Sequence, residues 1–221
     1  MTTRSLLQFR AAIFDLDGTL VVSEPAWELA KRRVVASLGI EVAQSVYDAF
    51  VGRGLRGFLN HVLGPDLSAA RLGALAHQIG AEADILLPLM RQPLPGASQA
   101  VQRLADAGLQ VAVCSSSPRR HIHEALEQLG LSRCVSVVVS GAELAKGKPD
   151  PLPYQDALRQ LALESRDTFA VEDALPGVRS AHGAGLMTIG IGAECLKPDF
   201  EAYCSYRVSN YHEFNRLFLT G

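Results

Sequence analysis

The stretch "AAIFDLDGTLVVSE", residues 11–24, decides the fold. Ala11, Ala12, Ile13 and Phe14 form a run without a polar member, which is the composition of a strand buried on both faces. The run then meets Asp15, Leu16, Asp17, Gly18 and Thr19. Buried strands do not ordinarily end in two carboxylates, because an unpaired buried charge is costly. At the carboxyl end of a strand in an open parallel sheet, ligands bind, and acids placed there read as chemistry.

The rhythm of the chain supports such a sheet. "LQVAVCSSS" (109–117), "VSVVVSG" (135–141), "TFAVED" (168–173) and "MTIGIG" (187–192) are short, Val- and Ile-rich runs. Between them, "GASQAVQRLADAG", "PRRHIHEALEQLG", "PYQDALRQLAL" and "LPGVRSAHGAG" have helical spacing, and most close on Gly. The alternation predicts βαβ units, a mostly parallel Rossmann-like α/β sheet, and a first strand (11–16) near its middle. Residues 25 to 88 break the pattern with helical segments only. The expected organisation is a catalytic core of residues 1–22 and 92–221, interrupted by a helical cap over 23–91. "VVSEP" and "LMRQPLPG" are the expected hinges.

Bulk properties exclude other classes. The 221 residues are 48% apolar and 20% charged, the balance of a globular chain. A net charge of −2 offers no electrostatic case for nucleic acid. No run approaches the roughly 18 apolar residues of a membrane span, and "MTTRSLLQFR" lacks the apolar core of a secretory signal. Cys114, Cys134, Cys195 and Cys204 make no CxxC pair and no zinc spacing, so a reducing cytoplasm is the expected setting.

At the expected strand ends lie Asp15 and Asp17, then Ser115, Ser116 and Ser117 before Pro118, then Glu172 and Asp173; Lys148 lies in "GKPDP" (147–151). Acids at such range raise one another's pKa, and a hard divalent cation, Mg2+, relieves the conflict through oxygen ligands. Serine hydroxyls and N–H groups opening a helix, here expected to begin with Pro118 at its first position, suit phosphate. The set suits phosphoryl transfer through a carboxylate nucleophile. Lys146 competes with Lys148 for the cationic role, and "KPDP" favours Lys148. "GAELAKGKP" lacks the P-loop spacing and the hydroxyl after Lys. The six histidines are scattered; His121 and His123 face different ways on one helix, and none is read as catalytic.

"DLDGT" (15–19), "VAVCSSSP" (111–118), "GKPDP" (147–151) and "VEDALPGVRSAHGAG" (171–185), in this order, resemble the haloacid dehalogenase superfamily in its capped phosphatase branch. The resemblance implies that Asp15 is the nucleophile and that Asp17 moves protons; two residues apart on the expected strand, their side chains would share a face. It implies Mg2+ held by Asp15, the Asp17 carbonyl and Asp173, with Glu172 as a further or supporting ligand. Ser115, Ser116 and Lys148 would bind the phosphoryl group, and Thr19 would brace the loop. The cap would set specificity, through Arg53 and Arg56 in "FVGRGLRGF" (50–58) and through Trp27, whose other reading is a core residue. The branch also implies a small phosphorylated substrate and a monomer or weak dimer.

The chain departs from this pattern at Val22, where Asp is usual. Trp27 stands where the β-phosphoglucomutase group has His, and Val51 and Leu55 stand where its "KGVSR" loop has Lys and Arg. A mutase must keep its aspartyl-phosphate from water, so these losses favour plain hydrolysis, in the manner of sugar-phosphate and 6-phosphogluconate phosphatases. The alternatives are a β-phosphoglucomutase-like isomerase and a non-catalytic binding protein on the same fold. The latter would be expected to have lost an acid this chain keeps. A metal-free dehalogenase would lack the second Asp.

Overall fold

A computed structural model describes residues 6–51 and 54–219. By contacts the chain divides into two compact units, Val22–Gln92 and the joined segments Met1–Val21 and Pro93–Gly221. The expected boundaries fell at 22/23 and 91/92.

In the larger unit β1 (Ala11–Phe14) lies third in a six-stranded parallel sheet of order β5-β4-β1-β6-β7-β8, as the alternation predicts. In the chain it is followed by β2 (Val21–Val22), the four helices of the smaller unit, and β3 (Gln92–Pro93), which pairs with β2. Next come α5 (Ala97–Asp106), β4 (Gln110–Ser115), α6 (Arg119–Gln128), β5 (Val135–Ser140), α7 (Leu152–Leu161), β6 (Thr168–Glu172), α8 (Leu175–Gly183) and β7 (Met187–Ile191). β8 (Tyr206–Val208) and α9 (Tyr211–Leu219) close the chain. The sheet has two buried faces because strand side chains alternate. Ala12, Phe14, Val111, Val113, Phe169 and Val171 pack with α5, α6 and α9. Ala11, Ile13, Ala112, Cys114 and Ala170 pack with Tyr154, Ala157 and Leu161 of α7.

The first strand is shorter than expected. Asp15 still donates its N–H to the Val171 carbonyl at 2.9 Å. Beyond it the chain coils, and the Leu16 carbonyl accepts from Leu20 at 2.8 Å and from Val21 at 3.0 Å. Gly18 takes φ +89°, a left-handed value open to glycine. Asp15 and Asp17 therefore do not share a face by strand alternation. The helix after the serines begins at Arg119 with Pro118 as its N-cap, not at Pro118 itself.

The smaller unit holds α1 (Glu24–Ser37), α2 (Gln44–Ala49), α3 (Leu55–Leu63) and α4 (Ala69–Met90). They enclose a core of their own that includes Trp27, Val35, Tyr47, Phe58, Leu75 and Ile79.

Phe169 is fully buried in β6 and meets the ring of Phe9 edge-on at 5.4 Å. Phe169→Ala is expected to cost about 3–5 kcal/mol, read as a lowered midpoint in urea with an unchanged slope.

Candidate active site

Register brings the site together before any side chain is considered. Phe14 lies opposite Val113 on one side and Val171 on the other. The next residues along the three central strands are Asp15, Cys114 and Glu172, so Asp15 emerges between the ends of β4 and β6. The loop before α7 brings in Lys148. Its Nζ lies 2.6 Å from Asp15 Oδ1 and 2.5 Å from Glu172 Oε1, and donates to the Cys114 carbonyl at 2.9 Å. Its side chain is only 5% exposed. Lys146 is 70% exposed and pairs with Asp150, so of the two lysines it is Lys148 that joins the acids.

Glu172 is held from several sides. Tyr154 donates its hydroxyl to Oε1 at 2.6 Å, and the Asp173 N–H donates to Oε2 at 3.2 Å. Gly177 in α8 leaves the space that the carboxylate occupies; a Cβ there would lie 2.1 Å from its atoms. A Cβ on Gly18 would likewise meet Asp173 Oδ2 at 2.0 Å. Thr19 is buried, with Oγ1 3.4 Å from Asp173 Oδ1.

Asp17 is brought in by serines. Its Oδ2 accepts from Ser115 Oγ at 3.1 Å and from Ser117 Oγ at 2.7 Å, while the Ser117 N–H donates to Ser115 Oγ at 3.0 Å. Ser116 is half-buried between them. Hydrogen bonds across the sheet edge thus do what strand alternation was expected to do.

Tyr154, Ser117 and Gly177 belong to this arrangement although their sequence signals were ordinary. Tyr154 reads as a periodic core residue of a helix, Ser117 as a cap, and Gly177 as one glycine among several. Of the candidates in the helical unit, Arg56 is exposed on α3, and Trp27 is 7% exposed within the core of that unit. Arg53 lies outside the described residues. A cavity of about 460 Å³ in that unit is lined by Glu24, Glu28, Arg32, Asp48 and Val51, among others, and by none of the residues at the strand ends.

Oxygen atoms of Asp15, Glu172 and Asp173 all lie within 4.8 Å of one another. Among the described residues, three carboxylates thus face one ammonium, and the charge does not balance. Burial, and after it the neighbouring Glu172, push Asp173 up to about 8 despite Lys148. Burial likewise pushes Asp15 well above the ordinary carboxylate range, although Lys148 opposes it. Burial alone would disfavour the Lys148 ammonium, yet Asp15 and Glu172 outweigh it and hold the proton more tightly than usual. An all-oxygen, net-negative cluster of this kind fits a hard divalent cation.

The haloacid dehalogenase-like hydrolase family matches residues 9–185 of the chain. The chain belongs to this family. Hexitol phosphatase B of Escherichia coli is 31% identical over 195 residues, covering 84% of this chain and 85% of that protein. Validoxylamine A 7'-phosphate phosphatase of Streptomyces hygroscopicus is 29% identical over 188 residues, covering 83% and 85%. Among solved structures, CbbY of Rhodobacter sphaeroides, in complex with phosphate, superposes with a TM-score of 0.81 at 25% identity, over 93% of this chain and 96% of that one. Family and relatives together make this haloacid dehalogenase-like hydrolase a phosphoric monoester hydrolase.

Two predictions follow from the crowding of the acids. A carboxylate whose folded pKa is raised supports the fold fully below its unfolded value, near 4, and loses that support as pH rises through the folded value. For Asp173 the window closes at about 8. In chelator, the melting temperature should therefore fall between pH 4 and 9, and Asp173→Asn should flatten that fall; equal slopes would refute the assignment. Gly177→Ala should displace Glu172 and lower phosphatase activity by about tenfold to a hundredfold. Gly73→Ala, with nothing within 4 Å of the added Cβ, should leave activity unchanged.

Proposed function

We propose that the chain is a Mg2+-dependent phosphatase of small phosphorylated metabolites, sugar phosphates or sugar-acid phosphates, acting through an aspartyl-phosphate on Asp15. The observation that carries this reading is the pair of carboxylates with unlike partners. Asp15 is tied through Oδ1 to the Lys148 ammonium at 2.6 Å, and Asp17 is held through Oδ2 on the hydroxyls of Ser115 and Ser117. The first arrangement aims a nucleophile; the second suits a group that exchanges protons.

In the first step a carboxylate oxygen of Asp15 attacks phosphorus as the bond to the ester oxygen breaks, and Asp17 gives that oxygen its proton. In the second, Asp17 takes a proton from a water molecule, whose oxygen attacks the same phosphorus and returns Asp15 as a carboxylate. Lys148 is placed to offset negative charge on Asp15 and on the transferring group. The Ser115 hydroxyl and the backbone N–H groups ahead of α6 are placed for the remaining phosphoryl oxygens. Asp15, Asp173 and the Asp17 carbonyl, with Glu172 beside them, are the groups that would hold Mg2+. When bound, the cation supplies positive charge where phosphate oxygens meet carboxylates.

The substrate class follows the relatives, one named for a hexitol and one for a validoxylamine phosphate. Arg53 and Arg56 remain the proposed contacts for a hydroxyl-rich or acidic leaving group. Trp27, buried in the core of its own unit, has less claim to stack on a sugar. Val51 and Leu55 in place of the mutase lysine and arginine favour hydrolysis over isomerisation. Four free cysteines suit a reducing cytoplasm.

Phosphate release from a panel of sugar and sugar-acid phosphates should be abolished by chelator and by Asp15→Asn. Mg2+ at a hundred times its Kd should raise the melting temperature by about 5 °C or more. Chelator-resistant release, or full activity in Asp15→Asn, would overturn the mechanism.

A further inference from the structure

Behind the acidic loop lies chemistry that phosphoryl transfer does not use. Cys195 is fully buried in a short turn after β7, and its thiol donates to the Asp173 carbonyl at 3.2 Å and to the Glu172 carbonyl at 3.5 Å. Cys204 comes in half-buried from the segment before β8. Both approach the same point over Gly190 of β7. A Cβ built on that glycine would lie 3.0 Å from the Cys195 sulfur and 3.0 Å from the Cys204 sulfur. The two sulfurs are therefore no farther apart than twice that distance, in space that only the absence of a side chain on Gly190 leaves open.

We propose that Cys195 and Cys204 are a dithiol site that oxidises to a disulfide and, in doing so, loosens the Glu172–Asp173 loop and lowers activity. The oxidant is a small disulfide of the glutathione class. Cys204, the more exposed of the two, attacks one sulfur of the oxidant as a thiolate and releases the other half as a thiol. The Cys195 sulfur then attacks the Cys204 sulfur. The intramolecular S–S bond forms, the second small thiol leaves, and the protons of both cysteines end on the two released thiols. Two protein thiols are oxidised and one small disulfide is reduced.

The consequence for the loop follows from the hydrogen bonds. As a thiol, Cys195 donates to the carbonyls of two consecutive acidic residues; as half of a disulfide it has no proton to donate. Glu172 and Asp173 lose that contact where their carboxylates meet Lys148 and Asp15. Burial pushes the Cys204 thiol up to about 11, with Arg207 opposing, so the exchange at neutral pH is slow, on the scale of minutes to hours. Thiol reduction reverses it.

The loss of activity rests on the phosphatase reading, whereas the disulfide does not, so the two are measured separately. The full-length protein is incubated with oxidised glutathione, alkylated, digested without reductant and mapped by mass. Linked peptides containing Cys195 and Cys204, absent from Cys204→Ser, are the expected result. Phosphate release should fall at least about threefold, which corresponds to a weak thiol hydrogen bond, and should return with dithiothreitol; Cys204→Ser should keep its activity throughout. Glutathione on Cys204 alone, a link through Cys114 or Cys134, or no link would overturn the site. A Cys195–Cys204 link without loss of activity would overturn the coupling to the acidic loop.

Discussion

The ion pairs from Lys148 to Asp15 and Glu172 are the interaction on which the rest of this structure depends. They lie at the carboxyl edge of the sheet, where the ammonium reaches one oxygen of each acid at 2.6 and 2.5 Å. Removing one partner of a buried pair strands the other charge, at a cost of about 3–5 kcal/mol. Even intact, the cluster is not neutral among the described residues: the Lys148 ammonium reaches Asp15 and Glu172, and Asp173 adds a third carboxylate. Burial first, and the neighbouring acids after it, hold Asp15 and Asp173 above the ordinary carboxylate range despite Lys148. A charge deficit of this kind can be filled by a divalent cation, and the proposed mechanism puts phosphoryl transfer at the same place.

The surrounding fold can be read as what this crowding requires. Parallel register delivers Asp15 between the ends of β4 and β6. Gly18 and Gly177 leave room for the carboxylates of Asp173 and Glu172, where any Cβ would collide. Tyr154 reaches Glu172 from α7, and Cys195 holds the same loop through its carbonyls. The helical unit encloses a core of its own.

Much of this was legible because strand ends carry chemistry. The apolar run at 11–14 and the four Val- and Ile-rich runs located the five strands nearest the site, and Asp15, Ser115, Glu172 and Asp173 stand where those runs stop. The rest was hidden for physical reasons. The coil after Phe14 depends on one carbonyl, that of Leu16, collecting several N–H groups, which no periodicity announces. Asp17 reaches Ser115 and Ser117 across about a hundred residues of chain, so the contact is invisible locally. Tyr154 follows the helical pattern of its apolar neighbours and conceals a polar role. β8 is three residues long, too short for alternation to show.

The central claim is that Asp15, aimed by Lys148, becomes covalently phosphorylated. Borohydride trapping during turnover of a sugar phosphate, followed by peptide mapping, tests it most directly, because an aspartyl-phosphate is reduced to homoserine. The account predicts homoserine at position 15 alone, in the Mg2+-loaded enzyme, and none in Asp15→Asn. Turnover with no reduced residue, or with homoserine at Asp17 instead, would contradict it.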